Sequence, residues 1–204
     1  TESLDRLHTT AESHHRIMLC EVMGRGAGWI ALESGIAGAV NVILIPEIPY
    51  DINKIVEKIK EREAAGKQSS IIVVAEGAKP KDGEVVVSKI VADSPDPIRL
   101  GGIGNKLADD LEKLLPGKEV RCTVLGHVQR GGTTSTYDRI LSTRYGVAAV
   151  ELINEGKFGE MVTLKDSKIS SDSLENVIGQ KSKLVDPNGE LVNMAKKVGI
   201  SFAD

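Results

Sequence analysis

Short apolar runs without polar alternation recur along this chain, and segments of helical periodicity separate them. The runs at 17–22, 42–45, 71–75 and 120–125 have strand length. Strands that are apolar on both faces need cover on both sides, and helical connections return the chain in parallel through right-handed crossovers. The expected fold class is therefore α/β: a parallel sheet between two layers of helices. The intervening segments agree. Leu4, Leu7 and Ala11 mark a helix over 1–14, and a second runs over 29–39. Asp51 reads as the N-cap of a helix carrying Ile52, Ile55, Val56 and Ile59, which Gly66 ends. Residues 77–99 read as an irregular excursion with a short strand at 85–87. A helix over 103–115 follows, with Leu107, Leu111 and Leu114 on one face. Beyond the last run, the spacing predicts a helix over 138–155 with Leu141, Tyr145, Ala148 and Leu152 on one face and a strand over 160–164.

Composition removes several function classes. The 204 residues carry a net charge of −3 with both signs dispersed, and aromatics are 3%. There is neither a basic stripe nor a base-stacking platform, so nucleic acid is not the expected partner. The longest apolar runs fall far short of a bilayer span, so no membrane segment is expected. Two isolated cysteines, Cys20 and Cys122, fit a reduced intracellular protein and hence a cytoplasmic location. With no initiator Met and a helix from the outset, the chain is expected to begin mid-protein.

Chemistry is concentrated where strands end. The runs at 17–22 and 120–125 stop at Met23-Gly24-Arg25-Gly26-Ala27-Gly28 and at Gly126-His127-Val128-Gln129-Arg130-Gly131-Gly132. Ligands of open α/β sheets sit at the carboxyl ends of strands, so Arg25, Glu76, His127 and Arg130 are expected on one rim. Arg16 and Arg121, on the same strands, are read with them. Arg25 precedes a helix, so the N–H groups of Gly26 to Trp29 are expected to share negative charge with its guanidinium. Four arginines and a histidine suit a phosphate monoester, and Glu76 would accept sugar hydroxyls. The implied ligand is a phosphorylated sugar. Singly, each feature has a plainer reading: a tight turn for the glycine segment, a surface ion pair for Arg16, core packing for Met23. A nicotinamide oxidoreductase would need G-x-G-x-x-G with an acidic residue about 20 positions on, and that spacing is absent.

Arg16-Ile17, Glu21-Val22-Met23-Gly24-Arg25 with Gly28 and Ala31, Ala37-Gly38, Pro46-Glu47, the segment Thr123 to Gly132, and Tyr137-Asp138-Arg139 occur in this order. In these residues the chain resembles the 6-phosphofructokinases over nearly its whole length. The resemblance implies a phosphofructokinase-like three-layer fold. It further implies a glycolytic phosphotransferase that phosphorylates fructose 6-phosphate at the 1-hydroxyl. It assigns Met23, Gly24, Arg25, Glu76, His127 and Arg130 to substrate binding, with Arg25 also steadying the phosphoryl group in transit. Arg16 and Arg121 would reach a neighbouring subunit's site, which implies a homodimer or homotetramer.

The general-base aspartate, the donor loop and the Mg²⁺ ligands of the family precede the region matched here. The expectation is a sugar-phosphate-binding domain over 1–132, elements of the donor-binding domain over 133–183, and a returning C-terminal helix over 184–204. Alone, the chain is expected to be inactive and to expose apolar surface over 133–183. The phosphoryl donor, with Mg²⁺, would be ATP or pyrophosphate, and Arg99-Leu100-Gly101-Gly102-Ile103-Gly104 resembles the longer family members, some of which use pyrophosphate. Ala39, Val40 and Asn41 replace the glycine and acidic residue of the short enzymes' effector site, which argues against nucleotide effector control. A non-catalytic sugar-phosphate-binding regulatory subunit is the remaining alternative.

Overall fold

The computed structural model describes residues 1–90, 98–179 and 183–204. In chain order its elements are α1 (Glu2–His14), β1 (Ile17–Val22), α2 (Trp29–Ala37), β2 (Val42–Leu44), α3 (Ile52–Ala64), β3 (Ser70–Ala75), β4 (Val87–Ile90), β5 (Ile98–Leu100), α4 (Ile103–Leu114), β6 (Val120–Val124), a 3₁₀ turn (Gly126–Arg130), α5 (Thr136–Asn154), β7 (Glu160–Lys165), β8 (Lys168–Ser173), α6 (Leu174–Gly179) and α7 (Glu190–Lys197). They fall into two units. One comprises Thr1–Arg130 with Leu184–Asp204, the other Gly131–Lys183.

In the first unit β2, β3, β1 and β6 form a parallel sheet in that order. Every residue of β1 and β3 is buried, as strands apolar on both faces require. Met18, Cys20 and Val22 pack with Leu4 and Leu7 of α1, Leu32 of α2 and Val192 of α7. Ile17 and Leu19, on the opposite face, pack with Ile55 and Ile59 of α3 and with Leu107 and Leu111 of α4. The result is three layers and two cores, with period-2 alternation deciding which core each strand residue enters. Asp51 caps α3 by accepting from the Asn53 N–H at 2.8 Å. Past α7 the chain returns beside β2, where the Ile43 N–H donates to the Ser201 carbonyl at 2.9 Å.

Three expectations need correction. The strand placed at 85–87 begins at Val87 and pairs antiparallel with β5, a partner the excursion hid; residues 91–97 of that excursion lie outside the described residues. Leu114 is 43% exposed, whereas Leu115 is 4% exposed. The helix stops at Leu114, and the non-helical Leu115, at φ −126°, turns its side chain into the core instead. The helix expected to reach residue 39 ends at Ala37, where the Gly38 N–H closes back on the Ser34 carbonyl.

In the second unit α5 starts at a capping Ser135, whose Oγ accepts from the Asp138 N–H at 3.2 Å. Its half-buried residues include Leu141, Tyr145, Ala148 and Leu152, while Val147, Val150 and Ile153 are exposed. The strand expected at 160–164 has an antiparallel partner in β8. Asp166 and Ser167 join the two strands with φ of 48° and 64°, the left-handed pair of a tight hairpin.

Cys20 and Cys122 are free thiols on neighbouring strands, in opposite cores. Burial pushes each from 9.0 to about 11, and for Cys122 the Glu21 charge adds to it. Because the folded values lie above the unfolded one, the unfolded chain releases its protons first. This stabilising contribution is complete below pH 9 and is lost as pH rises through about 11. Iodoacetamide at pH 8 is therefore expected to alkylate the native thiols about 100-fold more slowly than those of the urea-unfolded chain. Equal rates would show that the thiols are not buried.

Candidate functional site

The order β3-β1-β6 brings the carboxyl ends of three adjacent parallel strands to one edge. Each end carries one of the polar segments. At the end of β3, the Glu76 N–H donates to the Val22 carbonyl at 2.9 Å and the Gly77 N–H to the Gly24 carbonyl at 3.1 Å. Past β6, the Leu125 N–H donates to the Glu21 carbonyl at 3.1 Å, and Gln129 Oε1 accepts from the Met23 N–H at 3.4 Å. The Met23–Arg25 turn is thus tied to both neighbours through its backbone. Glu76 beside it is half-buried, and Arg25, His127 and Arg130 are exposed. These four are the residues expected on one rim, and the three loops that carry them meet there.

Gly77 explains the closeness of the contact. A Cβ at this position would lie 1.9 Å from the Arg25 carbonyl oxygen, so only glycine lets the β3 loop pass against the turn.

Arg16 and Arg121 do not join this rim within one chain, which corrects the reading of a single cleft holding four arginines. Arg16 immediately precedes β1, and Arg121 stands opposite Met18 in the register, roughly 15 Å along the strands from the carboxyl edge. At that far end Glu119 holds both. Arg16 Nε donates to its Oε2 at 2.6 Å, and Arg121 Nη2 to its Oε1 at 2.5 Å. The Arg16 hydrogen bond, with that of Arg121 behind it, holds the Glu119 carboxyl below the ordinary carboxylate range. Sequence reasoning passed over Glu119, although its position two residues before Arg121, at the entry to a strand, was a signal that both share one side.

Two other carboxylates, quoted in the sequence only as part of the family resemblance, have structural roles. Glu21, 3% exposed in an otherwise apolar strand, accepts from the Gly102 N–H at 3.1 Å and the Gly104 N–H at 2.8 Å, capping α4. Glu47 accepts from the Gly28 N–H with both oxygens at 3.1 Å. That N–H was expected to face a ligand and is already engaged, so the share of negative charge assigned to the start of α2 is corrected downward. A charged residue inside a buried strand was a legible signal for Glu21. For Glu47 the tertiary contact was needed. Asn41 Oδ1 accepts from the Ile71 N–H at 2.9 Å, so this side chain serves the sheet edge.

Among the described residues no group of three His, Cys, Asp or Glu side chains is placed to hold a metal ion, and no helix is long and apolar enough to cross a membrane. What the rim offers is exposed guanidinium and imidazole groups around a half-buried carboxylate. That combination has the chemistry to complement a phosphorylated polyol.

Comparison with known proteins agrees with this chemistry. The family model described as Phosphofructokinase matches residues 1–153. The chain is 79% identical over 204 residues to ATP-dependent 6-phosphofructokinase 2 of Clostridium perfringens, covering 100% of this chain and 56% of that protein. It is 48% identical over 202 residues to the pyrophosphate–fructose 6-phosphate 1-phosphotransferase of Streptomyces coelicolor, covering 99% of this chain and 57% of that protein. The solved phosphofructokinase of Saccharomyces cerevisiae superposes with a TM-score of 0.70 at 33% identity, covering 87% of this chain and 22% of that one. The chain spans about half the length of the curated relatives it matches.

Gly77→Ala tests the contact beneath the rim. The added methyl must displace the Arg25 turn, with an expected loss of about 1–3 kcal/mol in urea unfolding and weaker binding of a phosphorylated sugar by calorimetry. An unchanged unfolding midpoint would show that the β3 loop does not press on the turn.

Proposed function

Because this chain belongs to the phosphofructokinase family, we propose that it carries the sugar-phosphate side of a 6-phosphofructokinase site. The reaction transfers a phosphoryl group from a Mg²⁺-bound donor to the 1-hydroxyl of fructose 6-phosphate, a step of glycolysis in the cytoplasm. The observation that carries this reading is the meeting of the Arg25, Glu76 and His127–Arg130 loops at the carboxyl ends of three adjacent strands.

Phosphoryl transfer asks the protein for position and for charge complementary to a dispersed negative transition state, with little covalent participation. His127 and Arg130 hold the 6-phosphate. Glu76 accepts hydrogen bonds from sugar hydroxyls, and Met23 and Gly24 form the wall beside the sugar. Arg25 places its guanidinium against the group in transit, where charge increases between ground and transition state. An interaction that strengthens in this way raises kcat more than affinity. ATP is the proposed donor, supported by the name of the 79% identical relative. Pyrophosphate is the second reading, supported by the Streptomyces coelicolor protein.

Arg16 and Arg121 lie at the amino edge, away from their own chain's rim. If they bind the 6-phosphate, the phosphate belongs to another copy. A homodimer or homotetramer with shared sites is therefore part of the proposal.

In the intact protein, Arg25→Ala is expected to lower kcat about 1,000-fold, while KM for fructose 6-phosphate moves far less. Arg130→Ala should instead raise KM. Steady-state kinetics with ATP and with pyrophosphate reads both effects and identifies the donor. Calorimetry showing no fructose 6-phosphate binding, or full turnover by the Arg25→Ala protein, would overturn the proposal.

A further inference from the structure

The turn bearing Arg25 is held on its β3 side by Gly77. Its other end is held by a residue from a different part of the sheet. Glu47, just beyond β2, directs both carboxylate oxygens at the Gly28 N–H, at 3.1 Å each, and Oε1 also accepts from the Val185 N–H at 2.9 Å. One side chain thereby joins the exit of β2, the start of α2 and the segment returning toward α7. Gly28 is the N-cap of α2 and has no side chain to supply the cap, and the first turn of α2 holds no acidic residue. Glu47 supplies from a distance both the acceptor and the negative charge that a helix N-terminus favours. Space for this exists only at glycine, because a Cβ on residue 28 would sit 2.4 Å from Ile45 Cβ and 3.0 Å from Glu47 Oε2.

We propose that Glu47 is a positioning residue for Arg25, fixing the backbone of the turn so that the guanidinium meets the transferring group without reorganisation; this rests on the phosphotransferase reading. Only Gly26 and Ala27 separate Arg25 from the clamped N–H, so the turn is pinned at both ends. Both oxygens of Glu47 are engaged by backbone N–H groups. Its loss acts through where Arg25 stands, and displacement of a transition-state group by about 1 Å costs on the order of 100-fold in rate.

The test is Glu47→Gln in the intact protein. The amide keeps the shape but offers one acceptor oxygen in place of two and loses the charge. Hydrogen–deuterium exchange over residues 23–30 is expected to quicken about tenfold or more while β3 stays protected. Per folded molecule, kcat should fall about 100-fold with KM for fructose 6-phosphate within about threefold, a split that a loss of general stability would not produce. Unchanged exchange over 23–30 would overturn the clamp, and quickened exchange with unchanged kcat would overturn its role in positioning. If Glu47→Gln does not fold, Glu47→Asp, which keeps the charge but withdraws the oxygens by one methylene, is read by the same two measurements. Should the unaltered protein bind no fructose 6-phosphate, the phosphotransferase reading falls, while the exchange comparison still decides whether Glu47 holds the turn.

Discussion

The hydrogen-bonded register of β1 with β3 on one side and β6 on the other is the constraint from which the rest follows. Ile17 faces Ser70 and Val120, and the ladder runs in parallel to Val22 and Ala75 and to Glu21 and Val124. Parallel pairing places like ends together, so three loops distant in sequence meet without any contact of their own having to bring them there. A slip of one residue would exchange the side chains of β1 and β3 between the two cores, each of which is packed around its own set. Burial of every residue in β1 and β3 is what prevents it. The geometry of the rim is thus a consequence of two apolar cores.

The same ladder separates the arginines. Carboxyl and amino edges of one sheet cannot serve one small ligand, and the charges at each edge are organised differently. At the carboxyl edge Arg25, His127 and Arg130 are exposed and Glu76 is half-buried. At the amino edge Glu119 pairs with both Arg16 and Arg121, one negative charge against two positive. A chain with both arrangements has one edge with exposed cationic groups and another whose guanidinium groups are engaged by a carboxylate.

Much of this was legible in the residues. Continuous apolar runs such as 71–75 announced buried strands, Asp51 announced its cap, and the rim followed from the rule about strand ends. What escaped notice depended on distance or on local geometry with a weak signature. The hairpin at Asp166–Ser167 uses left-handed residues other than the usual Asn-Gly. Leu114 and Leu115 exchange roles because the helix ends between them. Arg16 is read with the cleft although it opens the strand whose other end carries Met23, and the length of that strand separates the two. Glu47 lies 19 residues from the N–H groups it holds at Gly28 and 138 from that at Val185, and no local pattern points across such gaps.

The segment after α7 completes the flank of β2 through the Ser201 carbonyl. An uncovered strand flank invites pairing with foreign chains. During synthesis, β2 therefore waits for residue 201 to leave the ribosome, about 160 residues after its own emergence at an elongation rate of about 5–20 residues per second. Throughout that interval the nascent sheet is open on the β2 side, and a chaperone that shields strand flanks would have its greatest effect then.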